Sequence, residues 1–375
     1  MRNVLGVTAL LLAACGCSRE DAPAVENGGQ RTPDAAAPTP TPRDAATPTP
    51  RDAAMPRDAA ASRDAAQPTT PPPETGGEIV TAVAAPTTAP NASGQTPAFS
   101  GQTRAPAPAQ LSRVRVKTIT EELQSPWAVE ALRDGRFVVT EKRGNLRVVT
   151  REGRVLAPIA GVPQVDTRGQ GGLLDVAIDE RDSGLTLCLT YSEPRDGGKN
   201  GTTAACTTAT GSENLTLAPL QTVFQQEPAW ASNLHFGSRL VFAPNDLIYI
   251  TTGERSVPDA RVYSQDTNAT LGKVIRLTRD GAAASGNPFM DQQGPAAQVW
   301  SYGHRNLQAA ALDAQGRLWT VEHGARGGDE LNRPEAGKNY GWPIITYGQD
   351  YSGSPIGEGI TQRDGMEQPV YYWDP

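Results

Sequence analysis

Three groups of polar residues in this chain could do chemistry. The first is His235, in Ser232-Asn-Leu-His-Phe-Gly-Ser-Arg239, just ahead of an apolar run. Imidazole is neutral near pH 7 and suits proton abstraction. Glu254 ends the hairpin that His235 begins, and a carboxylate returning beside the ring would fix its tautomer and stabilise its charged form. The second is Arg305-Asn306, within SYGHRNLQ from Ser301 to Gln308. A guanidinium beside an amide suits a multi-carboxylate ligand or a developing oxyanion. The third is Asp329-Glu330 with Tyr340, spread over EHGARGGDELN and GKNYGWP. Hard oxygen ligands with carbonyls of a Gly-rich loop suit calcium better than a transition metal. Each group has a plainer reading. A lone histidine is more often structural, neighbouring acids in a loop are more often solvated, and one Arg-Asn dipeptide means little by itself.

Other chemistries find no support. The three histidines, His235, His304 and His323, stand at no paired zinc spacing and no cysteine joins them. There is no Walker A run, and Arg168-Gly-Gln-Gly-Gly is not a GxGxxG turn leading into a helix. A GxSxG elbow and a recognisable carboxylate pair are also missing, which leaves a hydrolase without its usual signals.

Rigid elements must hold these loops. From about Leu111, short runs rich in β-branched residues alternate with Gly, Asp and Asn turns, and no amphipathic helix stands out. One unit recurs: WAVEALRDGRFVVTE ending at Glu141, RLVFAPNDLIYITTGE ending at Glu254 and QAAALDAQGRLWTVE ending at Glu322, with a looser copy ending at Glu193. Each reads as strand, polar turn, strand and terminal glutamate. Hairpin-sized units at this spacing point to an all-β propeller. A β-sandwich is the alternative, but its strands would not repeat one turn-and-acid pattern. Four units are visible, so the expected ring is incomplete, with about four to five blades.

Composition divides the 375-residue chain. Its net charge of -7 and the lack of a basic stripe argue against a nucleic-acid partner. Residues 1–14 have a charged start at Arg2 and an apolar run too short to span a bilayer, the form of a secretory signal. Leu12-Ala13-Ala14-Cys15 resembles the lipobox of bacterial lipoproteins, which implies lipidation of Cys15; an ordinary signal with an incidental cysteine is the other reading. Gly16 at the next position favours, by the same resemblance, the outer membrane, facing the periplasm or the cell surface. The lipid anchor is then the only membrane contact expected. Residues 15–110 are Pro- and Ala-rich, repeat an RDAA unit and have few large apolar side chains, so they read as a disordered tether. About ninety such residues reach ~280 Å at full extension and ~50–60 Å as a flexible coil. The remainder, 111–375, is the folded part. Cys188 and Cys206 lie there about one hairpin apart, and either a disulfide or two buried thiols fits.

From about Glu122 onward the chain resembles the soluble quinoprotein aldose sugar dehydrogenases of the glucose/sorbosone dehydrogenase family. The matching segments, in order, are PWAV, RGQGGLLDVAID, YSEPRDGG, LHFGSRLVF, TTGE, LGKVIRL, NPF, WSYGHRN, EHGARGGDELN, GKNYGWP and EQPVYYW. The resemblance implies a six-bladed propeller that binds pyrroloquinoline quinone (PQQ) and calcium and oxidises aldoses to lactones. His235 then matches the general base and Glu254 the acid that orients it. Gln170, Arg305, Asn306 and Tyr351 match residues at PQQ, with Arg305 also stabilising the reduced oxygen. Glu330 and Tyr340 match calcium ligands, and Gly324-Ala325 matches a loop whose carbonyls help hold calcium at the quinone. Leu307 and Ala325 replace the family's usual prolines, and Ala309 a usual glycine. The family pattern runs about eighty residues beyond Pro375. An aldose substrate is implied, together with an electron acceptor that the sequence does not name. A non-catalytic propeller that binds sugar or a protein partner is the alternative.

Overall fold

The computed structural model describes residues 78–81, 96–100, 102, 113–181 and 183–373. The expected secretory signal, Cys15 and the RDAA repeats lie outside the described residues. Strands β1 (Glu78–Thr81) and β2 (Arg113–Val116) form a two-stranded antiparallel ribbon.

The four repeated units become the first two strands of four blades, each an antiparallel meander. Blade one is β3 (Pro126–Ala131), β4 (Phe137–Glu141) and β5 (Asn145–Val149). Blade two is β6 (Leu173–Arg181), β7 (Gly184–Pro194), β8 (Asn200–Thr210), β9 (Thr216–Leu217) and β10 (Gln221–Gln225), with β8 pairing both β9 and β10. Blade three is β11 (Gly237–Ala243), β12 (Leu247–Thr252), β13 (Lys273–Thr278) and β14 (Val299–Tyr302). Blade four is β15 (Leu307–Leu312), β16 (Leu318–Glu322), β17 (Asp329–Asn332) and β18 (Tyr371–Trp373). The all-β propeller is therefore as expected, with four blades among the described residues. The helices described are no longer than a turn or so, the α-helical one being Pro258–Arg261.

The cores lie between blades. Val138, Leu146 and Val148 of blade one meet Leu187 and Leu189 of blade two. Phe224 and Cys188 of blade two meet Ile248, Ile250 and Ile275 of blade three. Tyr249 and Val274 then pack toward Leu307 and Leu318 of blade four. In β12, Ile248 and Ile250 face one neighbour and Tyr249 the other. A middle strand buried on both faces reads as a continuous apolar run, which is why LIYI lacks polar alternation.

A threonine stitches each of the three blade junctions. Thr140 Oγ1 accepts from Ala128 N at 3.0 Å and donates to Leu174 O of the next blade at 2.6 Å. Thr190 accepts from Asp175 N at 2.9 Å and donates to Ser238 O at 2.7 Å. Thr251 accepts from Arg239 N at 2.9 Å and donates to Leu307 O at 3.2 Å. Thr190→Val keeps the shape but leaves a buried N–H and carbonyl unmet. It should lower stability by about 1–3 kcal/mol, read as a lower urea midpoint; an unchanged midpoint would mean the stitch carries no stability.

Cys188 and Cys206 are directly opposed on β7 and β8 and form a disulfide, resolving the choice that their spacing left open. Gln102, within the span expected to be tether, is buried. It donates to Pro369 O at 3.0 Å and accepts from Tyr347 OH at 2.8 Å, which ties this segment to the end of blade four.

Candidate active site

His235 sits in the connection leading into β11 and is buried, with a left-handed φ of 48°. That conformation is unfavourable for a residue with a Cβ, so other bonds must hold it. Three do. His235 N donates to Gln170 Oε1 at 2.8 Å, His235 O accepts from Arg255 Nη1 at 3.1 Å, and Nδ1 meets Glu254 Oε1 at 3.0 Å. Gly253 makes room for this turn, because a Cβ there would stand 2.1 Å from His235 O. Glu254 follows β12, and its other oxygen accepts from Ser256 N at 2.5 Å. With Nδ1 occupied by Glu254, Nε2 is the ring atom left for a substrate.

Electrostatics keep this imidazole neutral. Burial lowers its pKa to about 4; the Glu254 bond pulls upward, while the charges of Arg305 and Arg255 push further down. Burial alone would raise Glu254, but its bond to His235 and the nearby positive charges bring it below the usual carboxylate range. The pair is a neutral base beside an ionised carboxylate, the state a general base needs.

Arg255 is the part of this arrangement that the sequence did not reveal. It is fully buried at φ 74°, donates to Ser232 O at 2.6 Å and to Asn200 Oδ1, and stacks 3.6 Å from the Phe236 ring centroid. Asn200 Nδ2 in turn donates to Asp166 Oδ2 at 2.7 Å, and Arg168 pairs with Asp166 at 2.6 Å. Gln170 belongs to this same 166–170 loop, so the loop reaches His235 by two routes.

Arg305 and Asn306 lie beside the base. Glu254 N donates to Arg305 O at 2.9 Å, and Asn306 Oδ1 accepts from Gly237 N at 3.1 Å. Arg305 Nη1 donates to His323 O at 3.0 Å, and Nη2 lies 3.5 Å from the hydroxyl of Tyr351, a ring that is 70% exposed. Arg305 Nε is buried with no acceptor among the described residues, which fits a place for a ligand oxygen. The structure thus brings Gln170, His235, Glu254, Arg305, Asn306 and Tyr351 into one connected set.

The acidic group borders Arg305. Glu322 and Glu330 are directly opposed on β16 and β17. Asn332 Nδ2 spans them, at 3.1 Å from Glu322 Oε1 and 3.0 Å from Glu330 Oε2, while Asn332 Oδ1 is buried and unmet among the described residues. Burial and then the Glu322 charge raise the Glu330 pKa well above its usual value. Glu322 and Glu330 both line one cleft, and two facing carboxylates there suit a hard cation. Gly324, Tyr340 and Thr346 line the same cleft. Among the described residues no three His, Cys, Asp or Glu side chains converge as a metal site, so a cation here would also need carbonyl oxygens. The Tyr340 hydroxyl does not supply one, since it donates to Arg333 O at 2.7 Å and accepts from Glu335 N at 3.1 Å. Ala325 follows Gly324 in the loop and bridges to Gly327.

One further arrangement looks catalytic. Ser301 Oγ lies 2.8 Å from His304 Nε2, and His304 Nδ1 lies 2.8 Å from Glu322 Oε1. The connectivity is that of an acyl-transfer triad. Ser301 and His304 are fully buried, however, and the ring stacks 4.7 Å from Tyr340. This triplet holds Glu322 in place under the cleft and presents no nucleophile to a substrate.

Residues 123–375 match the Glucose / Sorbosone dehydrogenase family profile. The chain is 40% identical over 265 residues to aldose sugar dehydrogenase YliI of Escherichia coli, an alignment covering 69% of this chain and 70% of that protein. The apo crystal structure of the Escherichia coli soluble aldose sugar dehydrogenase superposes with a TM-score of 0.64 at 38% identity, covering 69% and 74% of the two chains. The PQQ-bound aldose sugar dehydrogenase of Streptomyces coelicolor superposes at 0.54 with 30% identity, covering 69% and 71%. With a profile match running through all four blades, the chain belongs to the glucose/sorbosone dehydrogenase family.

Proposed function

We propose that this protein is a PQQ- and calcium-dependent dehydrogenase that oxidises aldoses at the anomeric carbon to lactones. The observation that carries the reading is His235: a neutral imidazole whose Nδ1 is held by Glu254 and whose backbone is fixed on both sides. The PQQ-bound relative supports the cofactor, and the facing Glu322 and Glu330 carboxylates in one cleft support calcium. When bound, PQQ supplies a carbonyl that accepts hydride, and calcium supplies Lewis acidity beside it.

The residues of the chain do the rest. His235 Nε2 takes the proton of the anomeric hydroxyl as hydride leaves the same carbon. Glu254 stabilises the imidazolium so formed and keeps Nδ1 protonated during the cycle. The charge of the Arg305 guanidinium offsets developing negative charge, and Asn306 and Gln170 fix the backbone around the base. Gly324, Ala325, Glu330 and Tyr340 border the cation position, with Tyr340 contributing through its backbone and ring. Electrons then pass to an acceptor outside the chain.

Reconstitution tests this reading. The purified chain with PQQ and calcium should show the reduced-PQQ spectrum and dye reduction with glucose or another aldose; neither signal with any aldose would end the enzyme reading.

The leader sequence supports export and anchoring through Cys15 to the outer membrane. Radiolabelled palmitate should enter the wild-type protein and not Cys15→Ser; equal labelling of both would remove the anchor.

A further inference from the structure

Three buried N–H donors around one indole find no acceptor among the described residues: Arg261 Nε, Arg305 Nε and Trp342 Nε1. The Arg261 guanidinium lies 5.3 Å from the Trp342 ring centroid and that of Arg305 lies 5.2 Å from it. Trp342 is 5% exposed and Arg305 is 3% exposed. Folded proteins leave few buried donors unmet, because each has lost its water without gaining a partner.

The framework makes this cluster rigid. Ser264 Oγ and Gln265 Nε2 both donate to Trp342 O at 2.7 Å. Ser264 Oγ also lies 2.9 Å from Arg261 O, so its single O–H is shared between the turn carrying Arg261 and the one carrying Trp342. The arginine side chains approach one ring although their charges repel. Arg261 makes no side-chain hydrogen bond or ion pair among the described residues. Asp350 is a carboxylate that senses both charges, and it is engaged by Ser352, accepting from Ser352 N at 3.0 Å and Oγ at 2.8 Å. An anion between the guanidiniums would meet the donors and offset the repulsion together.

We propose that Arg261, Arg305 and Trp342 grip one carboxylate of a bound ligand, with Arg261 setting the preference for an acid. Planar guanidiniums match a carboxylate in a way a single ammonium does not, and the indole N–H adds a third donor. Two sources offer this group. One is a carboxylate of PQQ, which rests on the quinone-site reading above. The other is the acid of a uronate-type sugar, which does not.

Equilibrium titrations of the apo chain separate these sources, using quenching of tryptophan fluorescence with PQQ and calorimetry with glucuronate and with glucose. Arg261 lies at the partly exposed end of a one-turn helix, so Arg261→Gln should fold, and Arg261→Lys retains the charge without the fork. For the carboxylate ligand that occupies the cluster, Arg261→Gln should raise Kd about tenfold or more, Arg261→Lys should recover part of the loss, and glucose should bind as before. A loss for PQQ alone assigns the cluster to the cofactor, and a loss for glucuronate alone assigns it to the substrate. Binding of glucuronate without PQQ would defeat the quinone reading and leave this one standing. Kd values within twofold of wild type for both ligands, or binding of neither by wild type, would overturn the proposal and leave water as the occupant.

Discussion

His235→Ala should lower kcat by about 10²–10⁴-fold, the usual worth of a positioned general base. PQQ should still bind, because the ring's own contact is with Glu254, while the backbone bonds to Gln170 and Arg255 survive the substitution. The pH profile is a second signature. The base works when neutral, and its pKa is lowered to about 4 by burial first and by Arg305 and Arg255 next. The sign follows directly: kcat/KM should be flat from about pH 8 down to about pH 5 and fall tenfold per unit once pH drops below the His235 midpoint. An unshifted histidine would place this limb near pH 6.5. Turnover of the alanine variant within tenfold of wild type, or an acid limb near 6.5 in the wild type, would remove His235 from the role. Loss of PQQ binding in the variant would show instead that the imidazole supports the cofactor.

The sequence exposed the blades because β-hairpins write themselves locally. Apolar β-branched runs, turn residues and a closing glutamate all lie within about fifteen to twenty residues, so Trp127–Glu141 and its three copies were visible. The role of each glutamate was not, since it depends on which blade comes near. Glu141 binds Gln124 N and Arg147, Glu193 pairs with Arg195, Glu254 holds His235, and Glu322 holds His304. The threonine stitches were hidden for a similar reason: Thr190 reaches a carbonyl 48 residues away that no local pattern announces. Cross-strand pairing of Cys188 with Cys206 also needed a register, which spacing alone leaves free. Among the site residues, His235 and Glu254 were legible because one hairpin joins them. The part of Glu322 in the cation cleft was not, because it arises only when β16 and β17 pair and place two acids face to face. Tyr340 was legible as a position but not in its chemistry, since its hydroxyl is used within the Arg333–Glu335 turn.

Arg255→Met should combine a large stability loss with a displaced pH profile. Methionine approximates the volume of the aliphatic stem, so the main effect is polar. It leaves His235 O, Ser232 O and Asn200 Oδ1 without their donor in a buried place. Each buried acceptor left unmet costs about 1–3 kcal/mol. The left-handed turn at His235 then keeps only the Gln170 and Glu254 bonds, and kcat should fall at least about tenfold as the ring loses its fixed direction. The charge matters separately. Burial has already brought the Arg255 pKa down to about 9, with Glu254 and Asp166 opposing the fall, so the group is still cationic at neutral pH. Removing that cation relieves one of the two positive charges that disfavour protonated His235, Arg305 being the other, while Glu254 remains. The His235 midpoint should therefore rise, and the acid limb of kcat/KM should move toward neutrality. With three histidines in the chain, proton NMR of the apo protein can follow this midpoint without turnover. Arg255→Lys separates the two effects, since it keeps the charge but not the fork: kcat should fall while the midpoint stays near its wild-type value. A midpoint unmoved in Arg255→Met would show that Arg255 acts on the backbone of His235 alone. Wild-type kcat in both variants would show that Glu254 and Gln170 are enough to hold the base.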